Sequence, residues 1–142
     1  MKTSVNMRLM LVLFVFAIIL SPIDSMDVSA FRPADPYDYL RTAVNLYCPW
    51  SCCNQRDFRF CLVENHQQII LDFGKNCVQQ HLGFCQTVEK CTDIICEKRL
   101  TNGQDYEEFI QCYANATFTH SYEDSSVYPK INECLENIIK CL

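Results

Sequence analysis

The sequence predicts an all-α fold, a small disulfide-rich bundle of about five short helices. Three observations predict it. Glycine (3) and proline (5) are scarce among the 142 residues, too few for the many tight turns of an all-β disulfide scaffold. Apolar residues recur at three- and four-residue steps through much of the chain, the spacing that gathers them on one helix face. Eleven cysteines lie between Cys48 and Cys141, with none before them. That density behind an apolar leader marks a secreted, cross-linked domain.

Residues 1–25 read as a signal peptide. Lys2 and Arg8 precede the apolar run Leu9 to Leu20, which Ser21-Pro22 ends. The run is shorter than the roughly 20 residues of a membrane-spanning helix. Cleavage is expected after Ser25, or as late as Ala30. Residues 31–47 are then a leader and first helix, and residues 48–142 a cysteine-rich helical domain. The net charge is −5, and loss of residues 1–30 leaves it unchanged because Lys2 and Arg8 go with Asp24 and Asp27. The charges are scattered without a basic stripe, which argues against nucleic acid as a partner. No later segment is apolar enough for membrane insertion.

In the first helix Asp35 caps and Pro36 takes the first position, and Tyr37, Leu40, Val44 and Tyr47 share a face. Phe58, Cys61, Leu62, Ile69 and Phe73 predict a second helix that Gly74 ends. Asn76 to Leu82 adds a short helical turn, broken at Gly83. A longer helix is expected from about Cys85 to Leu100. Asp105 with Glu108 forms a capping box for the next, through about Tyr113. Pro129 opens the last, where Ile131, Cys134, Leu135, Ile138 and Cys141 make an apolar stripe.

Placed on these helices, Cys134 and Cys141 face inward together, Cys85 and Cys96 share a face, and Cys91 reaches a different partner. Adjacent Cys52 and Cys53 are expected to bond to two different partners. All eleven are expected in disulfides (Cys48, Cys52, Cys53, Cys61, Cys77, Cys85, Cys91, Cys96, Cys112, Cys134 and Cys141), with one left unpaired or interchain because the count is odd. The spacing leaves the connectivity open.

Cys52-Cys53-Asn54-Gln55-Arg56-Asp57 resembles the catalytic helix of secreted phospholipases A2, in which paired cysteines precede a His-Asp. Arg56 stands at the histidine position, and a guanidinium stays protonated, so it supplies no general base. His66, His81 and His120 show no metal-ligand spacing beyond His81–Cys85, which Gly83 interrupts. No catalytic residue, no metal site and no cofactor is expected, and the chain reads as a non-enzyme. Asn115-Ala116-Thr117 is an N-glycosylation acceptor, read as lying at a helix end. Trp50, between Cys48 and Cys52, is either a rigid contact anchor or part of the core against the first helix, with the core favoured. Tyr122 and Tyr128 are contact candidates on an acidic loop expected over Thr117 to Tyr128.

The rhythm Cys52-Cys53, Cys61, Cys77, Cys85, followed by a long gap between Cys96 and Cys112, resembles the con-ikot-ikot family of cone-snail toxins. Cys48 stands alone where that family has a further cysteine pair. Cys85, Cys91 and Cys96 also resemble a rhythm of secreted nematode cysteine-rich domains. The toxin resemblance implies a helical, disulfide-linked homodimer that binds the extracellular part of ionotropic glutamate receptors. The expected function is therefore a secreted toxin-type protein acting on an extracellular receptor or ion channel. The alternative is an endogenous extracellular binding or carrier protein, which would need an apolar cavity.

Overall fold

The computed structural model describes residues 31–142 except Asn102. The expected signal peptide and both cleavage positions lie outside the described residues. Within them the chain forms six helices: α1 Pro36–Tyr47, α2 Cys52–Glu64, α3 Gln68–His81, α4 Val88–Thr101, α5 Gln104–His120 and α6 Val127–Ile139. No strand occurs among the described residues, so the all-α disulfide-rich class holds.

α1 begins as its sequence dictates. The Asp35 carboxylate accepts hydrogen bonds from the amides of Tyr37 and Asp38 at 3.0 and 3.1 Å, and Pro36 fills the first turn. Ser51 caps α2 by accepting from the Asn54 amide at 3.2 Å.

The second expected helix is in fact two. His66 takes a left-handed backbone conformation (φ 61°), which no helix interior accommodates. The Asn65 side chain closes α2 by donating to the Cys61 carbonyl at 2.8 Å. Gln67 is buried beside this bend and donates to Asp124 at 3.0 Å and Ser126 at 3.3 Å. The polar run Glu64 to Gln68 is thus a tertiary joint.

Gly74 ends nothing; it lies inside α3, buried. A Cβ there would come within 2.9 Å of the Tyr113 ring, so glycine is the residue that lets α5 approach. The stop is Gly83, whose φ of 145° excludes other residues without strain.

Two further corrections concern α4 and α5. α4 starts at Val88, behind Thr87, whose hydroxyl accepts from the Lys90 amide at 3.2 Å. Cys85 therefore lies in the preceding loop and shares no helix face with Cys96. α5 begins at Gln104, and Asp105 falls inside its first turn, so the expected capping box does not form. The helix continues to His120 because Phe109, Ile110, Ala114 and Thr117 carry a buried stripe past Tyr113.

The core has two adjoining parts. One joins the end of α1, α2, the start of α3 and α6 through Trp50, Leu62, Ile70, Tyr128, Ile131 and Leu135. The other joins α1, α3, α4 and α5 through Val44, Val78, Ile95, Tyr106, Phe109 and Ile110. Tyr113 packs against both.

Disulfides bind the same neighbours: Cys48–Cys96 ties the end of α1 to α4, Cys61–Cys134 ties α2 to α6, and Cys77–Cys112 ties α3 to α5. Cys85–Cys91 closes the short loop before α4. The described residues hold all eleven cysteines, and Cys52, Cys53 and Cys141 remain free and exposed. Eight cysteines are therefore paired in this structure, where the sequence reading expects ten. The inward placement of Cys141 is also corrected, because α6 ends at Ile139 and the last turn leaves the core.

Candidate functional site

The exposed loop between α3 and α4 is tied down by a disulfide and two side-chain hydrogen bonds. Gly83 turns the chain out of α3, and Phe84 follows with 77 % of its surface exposed. Cys85 behind it is buried and bonded to Cys91 in the first turn of α4. The Gln79 side chain donates to the Cys85 carbonyl at 2.7 Å, and Lys75 Nζ donates to the Gln86 carbonyl at 2.9 Å. Phe84 is therefore an apolar group held out in water on a backbone fixed at both sides. Burying it against a partner would remove its surface from water without ordering a mobile loop first, which is what makes an aromatic anchor effective.

The three contact candidates from the sequence divide. Tyr122 is exposed, stacked edge-on against Phe118, with the Arg32 guanidinium 4.2 Å from its ring centroid. Arg32 also donates to the Ser121 carbonyl at 3.0 Å. Tyr128 is not a surface group. It is 1 % exposed and meets Tyr39 edge-on with ring centroids 5.0 Å apart. The expected loop over Thr117 to Tyr128 shrinks to Ser121–Ser126, because α5 runs later and α6 starts earlier than the polar composition suggests. Trp50 is likewise not exposed: it packs against Tyr47 and Phe58 at 5.9 and 6.0 Å, the core reading of the two.

Asn115 is exposed but sits inside α5, not at a helix end, and its side-chain oxygen accepts from the Tyr37 hydroxyl at 2.8 Å. Thr117 of the same sequon is buried.

Between the helices lies an apolar cavity of about 90 Å³ walled by Tyr39, Val44, Tyr47, Leu62, Ile95 and Ile131, among others. Tyr113 and Thr117 also border it, and the Thr117 hydroxyl has no hydrogen-bond partner. Burial pushes the Tyr39 and Tyr113 phenols above their ordinary range and the Tyr128 phenol up to about 12. These three phenols are thus neutral across the physiological range and bring no charge to the cavity.

Among the described residues Arg56, His81 and His120 each pair with one carboxylate. Arg56 is exposed on α2 and pairs with Asp57 at 3.5 Å. His81 and His120 each approach one carboxylate, of Glu108 and Glu123, at 3.6 Å. Among the described residues no group of three or more His, Cys, Asp or Glu side chains is placed to hold a metal ion.

Comparison with known families, with curated proteins and with solved structures finds no match. Phe84 was missed by sequence reasoning. Its signal was present in Gly83 followed by two cysteines six residues apart, Cys85 and Cys91, the layout of a short closed loop.

Proposed function

We propose that this is a secreted, non-enzymatic protein of the toxin type that engages an extracellular receptor or ion channel through exposed side chains on its cross-linked scaffold. Four disulfides, together with the absence of a membrane-length apolar helix among the described residues, are consistent with an extracellular protein. The observation that carries the binding reading is Phe84, exposed and fixed by the Cys85–Cys91 loop. The resemblance of the cysteine rhythm to con-ikot-ikot toxins nominates ionotropic glutamate receptors as the first targets to test.

A carrier of small apolar ligands is the second reading, favoured by the cavity. Its size decides against it as the first choice. About 90 Å³ is smaller than the roughly 150 Å³ cavity that accommodates benzene, so a larger ligand would require the cross-linked helices to spread.

Binding of labelled protein to cells displaying candidate receptors tests the proposal. Phe84→Ala is expected to weaken binding about 30-fold, the effect of losing about 2 kcal/mol at an anchor residue, with unchanged circular dichroism. Native-level binding by Phe84→Ala would remove Phe84 from the interface. Saturable uptake of small apolar probes with no cell-surface binding would favour the carrier. Expression confined to a venom-producing gland supports the toxin type, and broad expression would count against it.

A further inference from the structure

The cavity between the helices has one charged side chain on its described wall, Arg59 of α2. The rest of that wall is apolar or phenolic apart from Thr92 and Thr117, and no aspartate or glutamate borders it among the described residues. A half-buried guanidinium beside apolar walls has lost part of its hydration, which favours a counter-ion at that point.

The hydrogen bonds of the wall sort its polar groups. Tyr39 donates to Asn132 at 2.6 Å and Thr92 donates to the Glu89 carbonyl at 2.7 Å, so both hydroxyl protons are committed to protein acceptors. Arg59 donates through one nitrogen to the Tyr47 hydroxyl, which fixes the guanidinium beside the cavity. A guanidinium carries five N–H groups, and Arg59 makes no other hydrogen bond and no ion pair among the described residues. Arg41 and Arg56, by contrast, each have a carboxylate partner, Glu107 and Asp57. The second unmatched group is the Thr117 hydroxyl. It belongs to the opposite end of α1: its neighbour Asn115 accepts from Tyr37 in the first turn, whereas Arg59 is bonded to Tyr47 in the last.

We propose that this cavity is a binding site for a short-chain monocarboxylate, with the carboxylate on Arg59 and an alkyl tail of about four carbons between the helices. The free N–H groups of a guanidinium match a carboxylate in two parallel hydrogen bonds, and apolar surroundings strengthen such bonds relative to water. The tail length follows from the volume. About 90 Å³, against roughly 150 Å³ for a cavity that takes the six carbons of benzene, leaves room for about four. The net charge of −5 gives an anion no general attraction to this protein, so selection for a carboxylate comes from Arg59 itself. Phe84 is not among the walls. The site therefore goes beyond the receptor reading, and either can fail alone.

Titration of isotope-labelled protein, followed by nuclear magnetic resonance of the Leu62, Ile95 and Ile131 methyl groups, tests the site. Pentanoate is expected to shift these signals saturably, with 1-pentanol about tenfold weaker, the effect of one charge-assisted hydrogen bond at a half-buried group. Acetate, which has the charge without the tail, is expected to leave them unmoved. Arg59→Gln is expected to reduce pentanoate affinity to that of 1-pentanol and to leave 1-pentanol binding as it was. Arg59→Lys is expected to keep part of the preference, with helical circular dichroism unchanged in both variants. Equal affinity for pentanoate and 1-pentanol would overturn the carboxylate assignment and place the hydrogen-bonding end at Thr117. Unchanged pentanoate affinity in Arg59→Gln would overturn the role of Arg59. Tighter binding of decanoate than of pentanoate would overturn the size class, and no saturable shift with any of these ligands would overturn the site.

Discussion

Single residues hold joints that the helices alone would not make. Asp124 sits in the turn between α5 and α6, where the Ser126 hydroxyl, at 2.6 Å, and then the Gln67 amide, at 3.0 Å, favour its charged form. These bonds hold its pKa below the ordinary carboxylate range, against partial desolvation. A folded-state pKa lowered in this way contributes stability above the unfolded value and loses it as pH falls through the folded one. Melting temperature followed below about pH 4 is expected to drop more steeply in the native protein than in Asp124→Asn, which lacks that titration. At Gly74 two effects compete. Alanine would gain about 1 kcal/mol in helix propensity, but its Cβ would meet the Tyr113 ring at 2.9 Å, and overpacking a core typically costs about 1–3 kcal/mol. Tyr113 is confined between the two core clusters, so the clash wins, and Gly74→Ala is expected to lower the urea midpoint.

Among elements, the disulfides act over different chain lengths. Cys61–Cys134 closes a separation of 73 residues and Cys85–Cys91 one of 6. The chain-entropy relation gives about 4 kcal/mol for the first and about 2 kcal/mol for the second. Replacing both cysteines of the long bridge by serine should therefore cost about twice as much stability in urea titrations as replacing those of the short one. The short bridge matters locally: opening it should raise amide exchange over residues 83–87, while α1 and α6 remain protected. These two bridges do different work, one fixing the packing of α2 on α6 and the other fixing a surface loop.

For the whole molecule, buried phenols set the alkaline limit. Tyr39, Tyr113 and Tyr128 have folded pKa values raised by burial. A raised value means that their contribution is complete below the ordinary phenol value of about 10 and is lost as pH rises through the folded one. In an ultraviolet titration these three of the seven tyrosines are expected to ionise only together with loss of helical circular dichroism. Reversible ionisation of all seven in the folded protein would contradict this burial.

The sequence by itself determined what depends on near neighbours in the chain. Asp35-Pro36 and the stripe Tyr37, Leu40, Val44, Tyr47 specify α1, and Ile131, Cys134, Leu135 and Ile138 specify α6. Caps and helical periodicity act over three or four residues, so they can be read without a fold. Scarce glycine and eleven cysteines likewise specified an all-helical, cross-linked class. Only the tertiary structure decided what depends on distant partners. His66 breaks a helix because Gln67 is claimed by Asp124 and Ser126 from the other side of the molecule. Gly74 remains helical because Tyr113 occupies the space of its missing side chain. Tyr128 and Trp50 are interior because Tyr39, Tyr47 and Phe58 cover them. Phe84 is outward because Cys85 is drawn inward to Cys91. A disulfide needs two α-carbons about 4.4–6.8 Å apart, and that distance between residues far apart in sequence exists only once the helices have packed.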